Sequence, residues 1–493
     1  MREDWIEIPL GDVFHTTSGG TPSRKKSEYY TGNIPWVKSG ELENNVILDT
    51  EEKITEEALK NSSAKLFSSG TLLLALYGAT IGKLAFLGIE ACTNQAICGI
   101  FDNGIILSKY TFYFLLFRKP KLIQQGAGGA QPNISQNIVR KQLFPLIPLP
   151  KQRAIVSKIE QLFSELDNGI ANLKAAKDKL EIYRQAVLKK AFEGELTKKW
   201  REKQKDLPTA DELLEQIKSE REAHYAKQLE EWQKKVKEWE VNGKEGRKLA
   251  KPKEQKELPP LTNNELKTLS SLPEGWSWCK INEVIKCLDN LRKPINKQER
   301  QKRIGNIPYY GANGQVGWID DYIFNDELVI VVEDETFTGR KIPFSYKISG
   351  KSWVNNHAHV LKNELQLNVN YLNYSLMFYP FTQLTTGTTG RKKLTQFALN
   401  NAPYYLCSLE EQTQIVKEIE TRLSVCDNIS ATIDDSLEKA KALRQSILKK
   451  AFEGKLLNAT ELEACRQEPD WEPADKLLAR IKQSRITKKG KND

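Results

Sequence analysis

The chain has 493 residues, and at roughly 150 residues per domain this length predicts about three domains. Its 74 lysines and arginines exceed its 64 acidic residues, so the net charge of +10 makes nucleic acid a candidate partner. The seven cysteines form no C-x-x-C pair and only four histidines are present, which disfavours a zinc site or a disulfide framework. The longest apolar stretch, residues 71–88, contains Lys83 and three glycines, so we predict no signal peptide and no membrane span, and expect a cytoplasmic protein.

Residues 1–150 are rich in β-branched and aromatic residues punctuated by Gly and Asn, a pattern typical of a mixed α/β domain with short strands. The loop 16–26 combines hydroxyl side chains, glycine amides and three cations, which suits phosphate oxygens, although a solvated basic loop has the same composition. Polar turns further along carry Asn and Gln side chains that can pair with adenine. The candidate DNA-binding residues of this domain are Thr21, Ser23, Arg24, Lys25, Lys26, Asn94, Gln95, Gln131, Asn133 and Ser135.

Residues 151–196 predict one long amphipathic helix. Apolar residues recur at heptad spacing along two lines, Ile159, Leu166, Leu173, Leu180 and Val187 on the first, and Ile155, Leu162, Ala176 and Tyr183 on the second. Gly194 is placed to end this helix in a left-handed cap. A helix of ~40 residues is about 60 Å long, too long for one globular core and suited to pairing with a similar helix.

The remaining segments repeat this order. Residues 197–270 carry many charges of both signs and are interpreted as a charged helical segment or loose linker, and residues 271–408 as a second mixed α/β domain. Residues 409–457 predict a second long helix, and residues 458–493 a charged C-terminal tail. The candidate DNA-binding residues of the second domain are Arg292, Lys293, Tyr310, Asn313, Asn356, His357, Arg391, Lys392 and Lys393.

The chain contains an internal duplication. Residues 152–196 align with 412–456 at a constant offset of 260, with 20 identities in 45 positions. Residues 94–96 and 133–135 similarly align with 356–358 and 393–395, so the two domains are also related. We therefore expect a pseudo-twofold molecule whose long helices pair as an antiparallel coiled coil. In the second helix the apolar line is assigned to Ile415, Ile419, Ile429, Ile433, Leu443 and Ile447, with Gly454 as the cap.

Catalytic motifs are poorly supported. Residues 78–83 resemble a phosphate-binding loop, but Tyr77 stands where that loop needs glycine and Leu84 where it needs Ser or Thr. Asn401–Tyr404 resembles the Asn-Pro-Pro-Tyr loop of amino-methyltransferases without its first proline, and no glycine-rich cofactor loop precedes it. The four histidines lie in no metalloprotease motif.

Several motifs together resemble the specificity subunit of type I restriction-modification systems, over nearly the whole chain. They are Gly19–Arg24, Ile34–Gly40, Tyr77–Lys83, Asn94–Cys98, Gln131–Gln136, Ile307–Gly314, Trp353–Ala358 and the duplicated Leu-Lys-Lys-Ala-Phe-Glu-Gly. The long segment 198–270 departs from the family and could change how the second domain docks. On the motifs and their repeat partners, we add as candidate DNA-binding residues Lys38, Ser39, Tyr77, Thr80, Lys83 and Arg340.

The resemblance implies an α+β protein with two target-recognition domains, each followed by a long helix. It implies a non-catalytic role: double-stranded DNA as ligand, two methyltransferase subunits and two restriction subunits as partners, and no metal or cofactor on this chain. S-adenosylmethionine, ATP and Mg²⁺ would then bind the partner subunits. The alternatives are a coiled-coil scaffold without DNA recognition and, with less support, a single-chain DNA methyltransferase or nuclease.

Overall fold

The computed structural model describes residues 4–126, 133–244, 249–254, 257–335, 337–364, 367–387 and 392–489. Its contacts divide the chain into two compact units: unit 1 is Met1–Ala175 with Ile433–Asp493, and unit 2 is Ala176–Thr432. Both boundaries fall inside long helices, so each unit combines one predicted domain with part of each helix. Among the described helices, none is long and apolar enough to cross a membrane.

The first domain is built from short strands and short helices. Its strands are β1 (Ile6–Pro9), β2 (Thr16–Ser18), β3 (Ile34–Val37), β4 (Asn45–Ile47), β5 (Glu52–Ile54), β6 (Leu66–Phe67), β7 (Leu72–Ala75), β8 (Leu84–Leu87), β9 (Ala91–Thr93), β10 (Ile97–Ile100) and β11 (Leu143–Leu146). Its helices are α1 (Leu10–Val13), α2 (Glu56–Lys60), α3 (Ser108–Gln124) and α4 (Gln136–Arg140). Sheets form in the orders β2-β10-β7-β8-β4 and β5-β3-β9-β6, and β1 pairs with β11.

Continuous apolar runs explain the core of the first domain. All four residues of both β7 and β10 are buried, as expected for strands covered on both faces. Helix α3 packs Tyr110, Phe114 and Leu122 into the same core. The mixed α/β prediction with short strands is confirmed.

Between the two domains, the described residues form four helices. They are α5 (Leu149–Phe192), α6 (Lys198–Arg201), α7 (Ala210–Val241) and α8 (Asn263–Thr268). Gly194 follows α5 with φ at +72°, and Glu195 donates its backbone N–H to the Lys190 carbonyl, so the predicted left-handed cap is confirmed.

The second domain repeats the architecture of the first. Its strands are β12 (Ser277–Lys280), β13 (Ile285–Cys287), β14 (Ile307–Gly311), β15 (Gly314–Ile319), β16 (Phe324–Asn325), β17 (Leu328–Val332), β18 (Asp334–Glu335), β19 (Ser345–Ile348), β20 (Lys351–Val354), β21 (Ala358–Asn363), β22 (Lys392–Lys393) and β23 (Pro403–Leu406). Its helices are α9 (Ile281–Val284), α10 (Lys297–Lys302), α11 (Val369–Met377) and α12 (Gln396–Asn401). The sheets have the orders β13-β21-β17-β19 and β15-β14-β20-β16, with pairs β12-β23 and β18-β22.

The chain ends in α13 (Leu409–Phe452), α14 (Ala459–Arg466) and α15 (Ala474–Lys489). The sequence suggested a charged tail here and a solvated helix or linker at 197–270, and the structure adds an anchoring contact to each. Helix α15 is anchored in the core of unit 1, and its sequence repeat α7 in the core of unit 2. The buried anchors are Leu477 and Ile481 in α15 and Ala210, Leu213 and Ile217 in α7.

Equivalent residues of the repeat make equivalent contacts inside the two units. Asp167 forms an ion pair with Arg444 in unit 1, and Asp427 forms one with Arg184 at 2.7 Å in unit 2. The aspartates are 260 residues apart, as are the arginines, so the same two repeat positions supply both pairs.

A buried glutamine at the start of each long helix is duplicated in the same way. Gln152 accepts a hydrogen bond from the backbone N–H of Leu107 and donates one to the carbonyl of Ile147, both at 2.9 Å. Gln412 makes the corresponding pair of bonds to the backbone of Asn368 and Cys407. Each glutamine thereby fixes the end of a domain to its helix.

The helices run antiparallel inside each unit. In unit 1, Lys158 near the start of α5 contacts Glu461, beyond α13, whereas Asp167 contacts an earlier residue of α13. In unit 2, Arg184 contacts Asp427, whereas Arg201, beyond α5, contacts Glu411 at the start of α13.

The helix seam corrects three residues of the sequence prediction. Tyr183, Ile429 and Leu443 were assigned to apolar lines but are 48%, 44% and 49% exposed. Arg184 and Arg444 are less exposed, because the long arginine stem packs along the helices while its guanidinium reaches an aspartate. At Tyr183 and Leu443 the seam is therefore occupied by the arginine one position further along, whereas Ile155 and Ile415 are buried as predicted. The first line is supported, since Ile159 and Val187 are buried.

Candidate nucleic-acid interface

Strand direction places most of the predicted polar loops of unit 1 at one edge. Strands β3 and β9 are parallel, so Lys38 and Asn94 follow them at the same end. Strands β2 and β7 are antiparallel to β10, so the segments after β2 and β7 meet the segment before β10. We call this group of segments the polar edge of unit 1; it comprises residues 19–26, 38–44, 77–83, 94–96 and 133–135.

Hydrogen bonds hold these segments together. Thr21 donates its hydroxyl to the side-chain oxygen of Gln95, and the backbone N–H of Asn94 donates to Val37 at 3.0 Å. Tyr77 forms an isolated antiparallel bridge with Asn133. Loops that are distant in the sequence thus form one continuous surface.

Two glycines allow the first loop to approach the sheet. A Cβ atom at Gly19 would lie 2.2 Å from the Thr93 carbonyl oxygen, and one at Gly20 would lie 2.3 Å from the backbone of Ser63. A side chain at either position would displace the loop from the edge, so the glycines serve close packing rather than a phosphate directly.

Several candidate cations of unit 1 are engaged with the protein's own carboxylates. Arg24 contacts Glu52 at 2.6 Å and lies over the rings of Tyr30 and Trp36, at 4.1 and 4.9 Å from their centroids. Lys38 contacts Glu52 at 3.2 Å. The hydrogen bond from Arg24 keeps the pKa of the Glu52 carboxyl below its ordinary value. Arg24 and Lys38 therefore shape the loop, with Arg24 still half-exposed for an anion.

Other candidates of unit 1 make weaker or purely local contacts. Lys26 contacts the Tyr29 hydroxyl at 3.0 Å, and Lys83 lies 3.9 Å from Glu43. Two hydroxyl groups form hydrogen bonds with nearby backbone. Thr80 donates to the carbonyl of Tyr77, and Ser135 caps the N-terminus of α4. Ser39 begins a 3-10 turn after Lys38, and Ser23 is exposed.

Exposed side chains remain available to a ligand at this edge. The side chains of Lys25 and Asn133 have no hydrogen bond or ion pair with any residue that the structure describes. Gln131, the other predicted base-reading residue here, lies outside the described residues.

Unit 2 forms a corresponding edge from corresponding strands. Strands β14 and β20 are parallel, and β13 and β17 are antiparallel to β21, so the segments after β13, β14, β17 and β20 converge. We call them the polar edge of unit 2; it comprises residues 288–293, 311–314, 333–334, 355–357 and 392–395, with Arg340.

Arg292 was predicted to contact DNA, but its side chain is 12% exposed and its guanidinium lies among acceptors of the protein itself. It contacts Glu333 at 2.5 Å, Asp289 at 3.2 Å and the carbonyl oxygen of Ala358 at 2.6 Å. Burial alone would raise the pKa of the Glu333 carboxyl, but Arg292, His359 and Lys393 outweigh it and lower that pKa. Arg292 thus joins the segments that follow β13 and β17 to the start of β21 beneath the edge.

The surface of this edge carries further predicted residues. Arg340 donates to the side-chain oxygen of Asn313 at 2.7 Å, and His357 lies 2.7 Å from Asp334. Tyr310 packs against Tyr346, with ring centroids 6.0 Å apart.

Four more predicted residues lie beside them. Lys393 contacts Glu333 at 3.0 Å, and Lys392 pairs through its backbone with Glu335. Lys293 and Asn356 are exposed, and among the described residues their side chains have no polar partner. Arg391 falls outside the described residues.

Three buried or half-buried side chains of unit 2 bring possible metal ligands together. One donor atom each of Cys287, Asp289 and His359 lies within 4.8 Å of the others. Burial raises the pKa of the Cys287 thiol to about 12, so the thiol stays protonated at neutral pH. The Arg292 guanidinium beside Asp289 adds a positive charge, which opposes a metal cation. The sequence shows His359 in no metal-binding motif, and nothing in it marks Asp289, which lies in the 3-10 turn after β13.

Comparison with known proteins decides the family. A family model described as the type I restriction modification DNA specificity domain matches residues 2–175 and 273–439. The chain belongs to this family of specificity subunits. Each match covers one α/β domain with its polar edge and part of the helix that follows.

Individual relatives support the same family. The EcoBI specificity subunit of Escherichia coli is 26% identical over all of this chain and 94% of its own length. A putative specificity subunit of Haemophilus influenzae is 31% identical over 39% of this chain, a match that spans half of the relative's length. The HsdS subunit of Thermoanaerobacter tengcongensis has a similar fold, with a TM-score of 0.51 at 17% identity over 92% of this chain and 98% of that one. A chain from a structure of the assembly of a type I R-M system reaches 0.60 at 17% identity, covering 92% and 99%.

Proposed function

We propose that this specificity subunit reads a two-part asymmetric DNA site, one part with the polar edge of each unit. The observation that carries this proposal is the convergence of the polar segments at one edge of each unit, on corresponding strands. Exposed Asn side chains at such an edge can pair with adenine, and exposed lysines can contact phosphate. The edges differ in composition, so the two half-sites should differ.

We further propose that the chain supplies recognition and not chemistry. Two methyltransferase subunits and two restriction subunits would associate with it and would bind S-adenosylmethionine, ATP and Mg²⁺. The duplication supports two copies of each, because equivalent repeat positions offer two equivalent docking surfaces. Titrating the full chain with methyltransferase and measuring mass would test this, and saturation at one copy would contradict it.

The assignment of edges to half-sites can be tested by mapping methylated adenines. The full chain, co-expressed with its methyltransferase, would carry Asn133→Ala or Asn356→Ala. We expect the first variant to relax base preference in one half-site and the second variant in the other. Relaxation of the same half-site by both variants, or of neither, would contradict the proposal.

Lys60→Ala is a matched control for these edge variants. Lys60 is an exposed residue of α2, which follows β5 at the opposite end of the strand pair from Lys38. The control should leave both half-sites unchanged.

A further inference from the structure

An exposed aromatic ring lies next to the polar edge of unit 2. Phe397 is 75% exposed and belongs to α12, which begins directly after the edge segment 392–395. Among the described residues, its ring contacts no other aromatic ring and no cation. The neighbouring Ala398 packs against the core of unit 2, whereas Phe397 does not belong to that core. The ring is therefore presented to the surroundings of the protein.

The backbone that carries this ring is held in place. The Thr395 hydroxyl accepts a backbone N–H of the first turn of α12 at 3.1 Å. The side-chain amide of Asn401 donates to the carbonyl oxygen of Phe397 at 3.0 Å. Leu399, on the opposite side of the helix, is fully buried. A short helix capped and anchored in this way holds an exposed side chain at a fixed place.

That place is within reach of the edge. The backbone N–H of Leu394 donates to the carbonyl oxygen of Glu333 at 2.8 Å, so the segment before α12 is attached to the edge. Consecutive Cα atoms are ~3.8 Å apart, and the Cα atom of Phe397 therefore lies no more than about 8 Å from that of Thr395. A ligand that covers the edge segment would meet the phenyl ring.

The duplicate of this position in unit 1 carries a different side chain. At the repeat offset of 260, Phe397 corresponds to Asn137 in α4. Ser135 caps α4 as its counterpart caps α12, and Val139 is buried in α4. Asn137 is exposed, and among the described residues its side-chain amide has no hydrogen bond. The same scaffold thus presents an amide in unit 1 and a phenyl ring in unit 2.

These two groups recognise different chemistry on DNA. In the major groove, an asparagine amide can pair with N6 and N7 of adenine, whereas an apolar side chain such as phenylalanine contacts the C5-methyl group of thymine. A phenyl ring has no hydrogen-bond donor for a phosphate oxygen. Cytosine has hydrogen where thymine has this methyl group, so the ring can distinguish the two pyrimidines.

We propose that Phe397 is a specificity-determining residue of unit 2, whose ring contacts the methyl group of one thymine in the half-site that this unit reads. The proposal rests on the proposed DNA-reading function and names the base chemistry at one position of it. Contact with the ring removes the methyl group from water, which corresponds to about fourfold in affinity.

Deoxyuridine tests the contact because it differs from thymidine only by the missing methyl group. The full chain with its methyltransferase would bind DNA in which each thymine of the two half-sites is replaced in turn. In wild type, one replacement in the half-site of unit 2 should lower affinity by about fourfold. Phe397→Ala should bind the thymine and deoxyuridine forms of that position equally. If no replacement matters in wild type, or if the variant keeps the wild-type difference at every position, the proposal is wrong.

Two further variants separate the contact from a general effect of apolar surface. Trp318→Ala removes an aromatic ring that is 56% exposed in the same unit, opposite Pro308 and three residues along β14 from the edge residue Gly311. This variant should keep the deoxyuridine effect of wild type. Phe397→Leu should keep part of it, because an aliphatic side chain also contacts a methyl group. Equal loss of the effect in Trp318→Ala would contradict the assignment to Phe397.

The outcomes distinguish this proposal from the proposed function. If wild type binds no specific DNA, the DNA-reading function itself fails. If wild type is specific but insensitive to deoxyuridine in the half-site of unit 2, only the role of Phe397 fails. If Phe397→Ala weakens methyltransferase binding without DNA and leaves the deoxyuridine effect unchanged, the ring is a protein contact and the proposal is overturned.

Discussion

Replacing Arg292 by methionine should destabilise unit 2, because the arginine is the cation between two buried carboxylates. Glu333 and Asp289 are 9% and 5% exposed, so water cannot replace the lost contacts. Removing one partner of a buried ion pair costs about 3–5 kcal/mol. Glu333 keeps Lys393 and Asp289 keeps His359, so we expect the lower end, about 3 kcal/mol.

In a unit of this size, that loss corresponds to a fall in Tm of about 6–12 °C. Thermal unfolding of the full chain by circular dichroism would measure it. Lys293→Met is the matched control, since Lys293 is adjacent in sequence and exposed. It should change Tm by no more than about 2 °C and should instead reduce the salt dependence of DNA binding by about one phosphate. If Arg292→Met melts like wild type and lowers only the salt dependence, Arg292 is a DNA contact and our reasoning is wrong.

Exchanging the charges of a helix pair provides a second prediction: Asp427→Arg should destabilise by about 1 kcal/mol and Arg184→Asp added to it should restore stability, as a double-mutant cycle of unfolding would show. The third concerns acid. The folded state lowers the pKa values of the Asp289 and Glu333 carboxyls. Their ionised forms therefore stabilise the fold fully above the pKa values of the unfolded chain, near about 4, and this stabilisation is lost as the pH falls through the folded-state pKa values. The Tm should thus fall more steeply below about pH 4 in wild type than in the variant Asp289→Asn/Glu333→Gln. Fourth, Lys25→Ala should weaken binding to all DNA sequences alike and reduce the salt slope by about one unit; altered base preference at constant slope would refute a phosphate contact.

The sequence predicted the scaffold because apolar periodicity and repetition report burial directly. The alignment at offset 260 identified both long helices, and Gly194 marked the end of the first one. It misplaced Tyr183 and Leu443 because periodicity counts apolar residues, whereas arginine can occupy a seam through its aliphatic stem. An ion pair between distant parts of the chain has no periodic signature.

For the candidate sites too, the sequence predicted some features and not others. Motifs located the segments that converge at each edge, but composition could not separate Lys25, which is free among the described residues, from Arg24, which stacks on two aromatic rings. That distinction depends on Glu52, which follows 28 residues after Arg24 and carries no motif. In unit 2, Arg292 is likewise engaged with carboxylates of the protein, whereas the neighbouring Lys293 is exposed.

The two parts of the duplication have diverged to different extents. The long helices keep 20 identities in 45 positions, and both copies of the Asp–Arg pair join α5 to α13. A change at Asp167 alters one pair only, but it leaves Arg444 of the other helix without its aspartate, so the paired positions constrain each other. Edge residues such as Lys25 and Asn356 have no such side-chain partner among the described residues, so a change there leaves the other domain intact. Unit 1 accordingly has Ile97 where unit 2 has His359, although both follow the same polar turn. Constraint on the helices and freedom at the edges are what a protein needs to change one half of a DNA site without losing its assembly.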